Sequence, residues 1–148
     1  MAAVLYFFAD PASDRSRQDL QALAGAQHSL AAKRAVVLGI SRAKLDGLKQ
    51  VQRELNLRFP LLFDDRNFTA AYGIEVPEEG DPDPALFVVD RDQKILWMAC
   101  PAASVEGALG DIDKALQTLP SQMANYPKTV VNRVVNWWVS KVRRPRAA

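Results

Sequence analysis

The chain is nearly without the two side chains on which most nucleophilic and metal chemistry relies: it has one cysteine, Cys100, and one histidine, His28. A single cysteine forms no internal disulfide, and with no CxxC pair and no Cys/His cluster there is nothing to hold zinc or to run dithiol exchange. No metal or cofactor is therefore expected. His28 falls on a helical stretch after Leu20, Leu23 and Ala24, where a solvated or partly packed role is the simplest reading, and it is assigned no function. Apolar runs are short as well. None approaches the roughly 18 residues needed to cross a bilayer. The apolar start, residues 1–9, has no preceding Lys or Arg and runs straight into Asp10, unlike a signal peptide. The expectation is a cytoplasmic protein.

Acidic residues are missing from the end of the chain. After Lys114 come Lys128, Arg133, Lys141, Arg143, Arg144 and Arg146 and no Asp or Glu. The rest of the chain carries 13 of the 19 basic residues against all 17 acidic ones, so a mildly acidic body bears a basic appendage. That asymmetry marks contact with an anionic surface.

What is present reads as one domain of alternating elements. With 148 residues, 49% of them hydrophobic, the chain is long enough to bury a core without staples. Val4-Leu5-Tyr6-Phe7-Phe8 and Ala35-Val36-Val37-Leu38-Gly39-Ile40 are continuous apolar runs of the kind central parallel strands need. Between them, from residue 16 to 33, Leu20, Leu23, Ala24, Ala26, Leu30 and Ala31 recur at helical spacing, with Arg17, Gln18, Asp19 and Gln21 opposite. Ser41 is a candidate N-cap for a second helix through Leu45, Leu48, Val51 and Leu55. A short extended piece (59–64) and a short helix (67–72) closed by Gly73 follow. Residues 75–84 hold Glu75, Glu78, Glu79, Asp81 and Asp83 with three prolines, an exposed turn-rich loop. Two apolar runs, 85–90 and 94–99, flank Arg91-Asp92-Gln93 as a hairpin, and Val105, Leu109, Ile112 and Leu116 line a last helix to residue 119. Two βα units, a hairpin and a closing helix define a thioredoxin-like, three-layer α/β/α sandwich around a mixed sheet. Residues 1–119 form this domain, 120–127 a linker, and 128–148 a tail.

In the tail, a Val-Val-Asn-x unit repeats every four residues after Pro127, gathering Val130, Val131, Val134, Val135, Trp137, Trp138, Val139 and Val142 on one broad side of a helix. Valine is a modest helix former, so such a helix orders mainly when its apolar side is covered. Three covers are open: the body itself or a second copy, the interface of an anionic membrane, or another protein. In the second, Trp137 and Trp138 would sit at headgroup depth with Lys141, Arg143, Arg144 and Arg146 near lipid. No recognised motif accompanies the basic cluster to point to nucleic acid.

Several segments resemble the peroxiredoxin family, most closely its bacterioferritin-comigratory branch, over roughly residues 4–118. Phe59-Pro60-Leu61-Leu62-Phe63-Asp64, Ala70-Ala71-Tyr72-Gly73-Ile74 and Leu86-Phe87-Val88-Val89-Asp90 are similar to its FPLLSD, AxxYGV and TFLID segments. Its strand, Pro-x-x-x-Thr-x-x-Cys loop and helix can be laid over residues 4–33 without a gap. The resemblance implies Pro at Ala9, Thr at Ser13 and the peroxidatic Cys at Ser16; only Ser13 is compatible. It also implies an arginine just before the hairpin, where this chain has Pro84. Peroxide reduction needs a thiolate that cycles through a sulfenic acid, which a serine hydroxyl cannot do. The expectation is thus a non-catalytic binding or scaffold module that contacts a protein partner or a second copy through its tail. The alternative is a divergent thiol oxidoreductase using Cys100 or a thiol supplied by a partner. Pro84 is also similar to the cis-proline of thioredoxins and their cytochrome-maturation relatives, so a cis bond is expected there. Cys100, after the second hairpin strand and topologically distant from the first helix's loop, is expected to be a small buried hydrophobe. The family's strands ahead of its first core strand have no counterpart, which leaves a sheet edge open.

Overall fold

In a computed structural model, residues 1–64, 69, 71–74, 82–92 and 94–118 are described. Five strands form one mixed sheet: β1 (Ala2–Phe8), β2 (Ala35–Ser41), β3 (Leu61–Phe63), β4 (Ala85–Val89) and β5 (Ile95–Ala99), in the order β3-β2-β1-β4-β5. Among the described residues three helices accompany them: α1 (Asp14–Ala32), α2 (Leu45–Glu54) and α3 (Val105–Gln117). This is the thioredoxin-like arrangement expected from the alternation of elements. The tail, with Trp137, Trp138, Lys141, Arg143, Arg144 and Arg146, lies outside the described residues, as do the linker and most of the acidic loop.

The all-apolar β1 takes the middle of the sheet, parallel to β2 (Ala2 opposite Ala35, Phe8 opposite Ser41) and antiparallel to β4 (Ala3 opposite Val89, Phe7 opposite Ala85). Every residue of β1 is buried. Because successive side chains point to opposite faces, Val4, Tyr6 and Phe8 enter one apolar layer and Ala3, Leu5 and Phe7 the other. The β1-α1-β2 and β2-α2-β3 connections step the same way across the sheet. Right-handed crossovers then put both helices on one face, where Leu20 and Leu23 of α1, Leu48 and Val51 of α2, and Val105 and Ile112 of α3 share the first layer. On the second face, Tyr72 meets Phe87 edge-on at 4.9 Å and Phe7 at a tilt at 5.5 Å, and Ile74 joins them. Gly73 has a φ of +70°, the left-handed conformation expected from sequence, while most of the helix it was expected to close lies outside the described residues.

Gly39 is needed for a different reason. A Cβ there would stand 2.5 Å from Leu61 Cδ2 and 3.3 Å from Phe8 Cε1, so its absence lets β3 and the ring stack of Tyr6 on Phe8 (5.3 Å, 12°) close over β2.

Local details depart from the sequence reading at several points. Ser41 does not cap α2. It ends β2, and its Oγ donates to the Ala9 carbonyl (3.0 Å) while accepting from Ala43 N–H (3.1 Å). The cap position falls to Lys44, whose side chain makes no capping bond. Asp19 lies not on the polar side of α1 but in the interior. The cis bond is not at Pro84; among the described residues it is Cys100–Pro101. Cys100 is exposed rather than buried, because it follows the edge strand β5 where the chain turns away from the sheet.

Candidate functional site

The loop from β1 into α1 carries the positions to which the sequence resemblance assigns chemistry. Its backbone is fixed by short polar side chains. Asp10 Oδ1 accepts from Ala12 N–H at 2.9 Å, and the Asp10 carbonyl accepts from Ser13 N–H and lies 3.0 Å from Ser13 Oγ. Ser41, from the end of β2, holds Ala9. Ser13 is the N-cap of α1: its Oγ accepts from Ser16 N–H at 3.1 Å, satisfying one of the helix's unpaired donors. The resemblance places the threonine of the loop here, and serine performs the same capping.

Ser16, where the sequence resemblance puts the attacking sulfur, is only 5% exposed. Its hydroxyl lies 2.9 Å from Ser13 Oγ. Ser13 is not a general base, and a serine becomes a nucleophile only when a base takes its proton. Pro84 stands directly ahead of β4, and its carbonyl accepts from Ala102 N–H at 2.7 Å. It thus pins the β5–α3 connection and offers no charge to an anion.

Beneath Ser16 sits a polar cluster that the sequence reading missed. Tyr6 O–H donates to Asp19 Oδ2 at 2.7 Å, Arg15 Nε donates to the same oxygen at 3.0 Å, and Val105 N–H donates to Asp19 Oδ1 at 3.0 Å. Arg15 reaches on with Nη2 to the Ala102 carbonyl at 2.5 Å. Asp19 is therefore a buried carboxylate with three donors, one of them the first N–H of α3, where the helix dipole also favours a negative charge. Burial and then the Asp19 carboxylate hold the Tyr6 phenol well above its ordinary value, so it is a neutral donor. The cluster ties β1, α1 and the start of α3 together. A signal was available: Ser16, Asp19, Leu20 and Leu23 are spaced i, i+3, i+4, i+7, the inward side of a helix, and all four are buried.

This cluster also corrects the view of Cys100 as remote from the first helix. Through Ala102 and Val105, the connection that begins at Cys100 returns over the first turns of α1. His28 is exposed on α1. Among the described residues no group of three or more His, Cys, Asp or Glu side chains is placed to hold a metal, and no helix is long and apolar enough to cross a membrane.

A sequence profile of the AhpC/TSA family matches residues 1–98. The chain belongs to that family. Among solved structures it is similar to peroxidoxin BcpB from Mycobacterium tuberculosis, with a TM-score of 0.74 at 20% identity over 81% of this chain and 80% of that one. Xanthomonas campestris peroxiredoxin Q matches with a TM-score of 0.70 at 14% identity over 79% and 78%. A putative thiol:disulfide interchange protein DsbE from Chlorobium tepidum matches with 0.62 at 21% over 78% and 79%. At these identities the likeness establishes the thioredoxin-like fold. No curated protein matches the chain. Within the AhpC/TSA family, this member has one cysteine, and it does not lie in the β1–α1 loop.

Proposed function

We propose that this AhpC/TSA-family protein is non-catalytic and serves as a binding or scaffold module, with its basic tail as the contact element. The observation that carries the reading is Ser16: a buried hydroxyl at the position the resemblance assigns to the attacking sulfur, engaged with Ser13, which is no base. An alcohol in that environment neither ionises near neutral pH nor passes through a sulfenic acid. The Asp19 cluster supports the same conclusion, since three internal donors already occupy the carboxylate beneath the loop. Tail residues Trp137, Trp138, Lys141, Arg143, Arg144 and Arg146 supply an apolar side and a positive charge that the acidic body lacks.

A second reading is favoured by one observation. Cys100 is exposed, and its connection passes over α1, so a divergent thiol oxidoreductase could use it with a resolving thiol from elsewhere. Coupled peroxide consumption with a dithiol reductant separates the two. The expected result is no turnover above the reductant blank for the wild-type protein and none for Cys100→Ser. Turnover lost on Cys100→Ser would establish the second reading.

A further inference from the structure

Cations gather at the end of the sheet where β1 begins. Ala2 is level with Ala35 and Ala3 with Val89, so Arg34 and Arg91 flank the start of the central strand on its two sides. Lys94 joins them, its carbonyl accepting from Asp90 N–H at 3.0 Å. Arg34 and Lys94 are exposed, and among the described residues neither has an ion-pair partner. Of the carboxylates at this end, Asp113 is matched by Lys33, Asp90 Oδ1 accepts from the Asp92 and Lys94 N–H groups of its own turn, and Asp92 lies in that turn. Arg34 also holds its place at a backbone cost. Its φ is +60°, in the left-handed region where glycine carries no penalty. Its N–H donates to the Ala31 carbonyl and its carbonyl accepts from Ala2 N–H, each at 2.9 Å; glycine would make both bonds, so they do not call for a guanidinium. Burial, then the Arg91 and Arg34 charges, hold the Met1 amine below its ordinary value against the pull of Asp90, which shows two guanidiniums from separate segments acting on one spot.

The opposite end of the sheet differs. There the first turns of the three helices carry Asp14, Asp46 and Glu106, all exposed, and Arg42 and Lys44 share the end with them. α3 starts beside Asp19 and passes Lys33, so it leads the chain from that mixed end to the cationic one and releases it there at Thr118. The sequence that follows has six basic residues, no acidic one, and the pair Trp137 and Trp138. Unmatched cations spread over both sides of β1 and the origin of a basic segment thus lie at one end. That distribution suits a surface negative over a wide area rather than a single small anion, because every cation within about 10 Å of such a surface adds to the attraction. Tryptophan in the basic segment selects lipid among such surfaces, since its amphipathic ring favours headgroup depth.

We propose that this end of the sheet, with Arg34 and Lys94 as its principal contacts, lies against the anionic headgroups of a membrane surface. The proposal rests on the basic tail being a contact element; it names the class of partner and adds the body's own residues to the contact. The peroxide assay does not touch it, so the two can fail separately.

Sedimentation of the full chain with phosphatidylcholine vesicles, and with vesicles that also contain phosphatidylserine, tests it. Arg34→Gly with Lys94→Gln removes two charges from the cationic end while relieving the left-handed φ, and Arg42→Gln with Lys44→Gln removes the same charge from the opposite end. The wild-type chain is expected to bind only the vesicles with phosphatidylserine. The first pair should weaken that binding about fivefold per charge, about 25-fold together. The second should leave it nearly unchanged, because charges more than about 10 Å from the lipid are screened. Thermal melting checks that both variants are folded. Equal weakening by the two pairs would overturn the proposal, as attraction would then follow net charge alone. Binding that neither pair alters would overturn it too and leave the tail's contact role standing. No binding to either vesicle would overturn it and assign these cations to an acidic protein instead.

Discussion

Tyr6→Phe is the sharpest perturbation of the cluster beneath Ser16. It keeps the ring and its stack on Phe8 and deletes one atom, the hydroxyl that donates at 2.7 Å to the buried Asp19 carboxylate. A hydrogen bond to a charged group contributes about 1.5–3 kcal/mol, and water does not readily replace it, since Asp19 is 4% exposed. We expect a loss of about 2 kcal/mol, or a fall in Tm of about 4–8 °C for a chain of this size. Asp19→Ala should cost more, about 3–5 kcal/mol, because it strands the Tyr6 phenol and the Val105 N–H. Arg15 contributes less to that loss, its side chain being 43% exposed and able to recover water. In the double variant the phenol is no longer stranded, so the two losses should fall short of additive by about 1.5 kcal/mol. Urea titrations at constant m-value measure all three. A Tyr6→Phe loss under about 0.5 kcal/mol together with additivity within about 0.5 kcal/mol would show that the cluster is solvated rather than buried, and the argument would fail.

Two further outcomes follow from the same structure. Tyr6 and Tyr72 both have raised phenol values, through burial first and, for Tyr6, through Asp19 next. The unfolded chain therefore releases these protons near pH 10 while the folded chain keeps them, so stability is complete below about pH 10 and declines above it, by up to about 1.4 kcal/mol per pH unit for each group; Tyr6→Phe should make that alkaline decline shallower in urea titrations run at stepped pH, and an unchanged slope would contradict it. Gly39→Ala drives a methyl into Leu61 and Phe8, both buried, and is expected to destabilise by about 1–3 kcal/mol, measured by thermal melting; a neutral result would mean β3 moves away freely.

The order of elements was legible because it rests on periodicity. Apolar runs at 4–8 and 35–40, helical spacing from Leu20 to Leu30, and turn residues at 91–93 are local signals, and each places its strand or helix wherever the rest of the chain goes. The serine at position 16 was equally a matter of residue identity, as was the solitary Cys100.

What the sequence alone did not determine depends on groups distant along the chain meeting at one point. Ser41 caps by propensity but is captured by Ala9, 32 residues away, because the parallel register sets the end of β2 beside the end of β1. Asp19 reads as solvent-facing on charge, yet it is interior, because Tyr6, Arg15 and the first N–H of α3 together offset the cost of removing a carboxylate from water. The exposure of Cys100 follows from β5 being the last strand. Composition and spacing thus specify which elements form. Tertiary structure decides where each polar group finds its partner, since a buried charge is tolerable only when several separate segments converge on it.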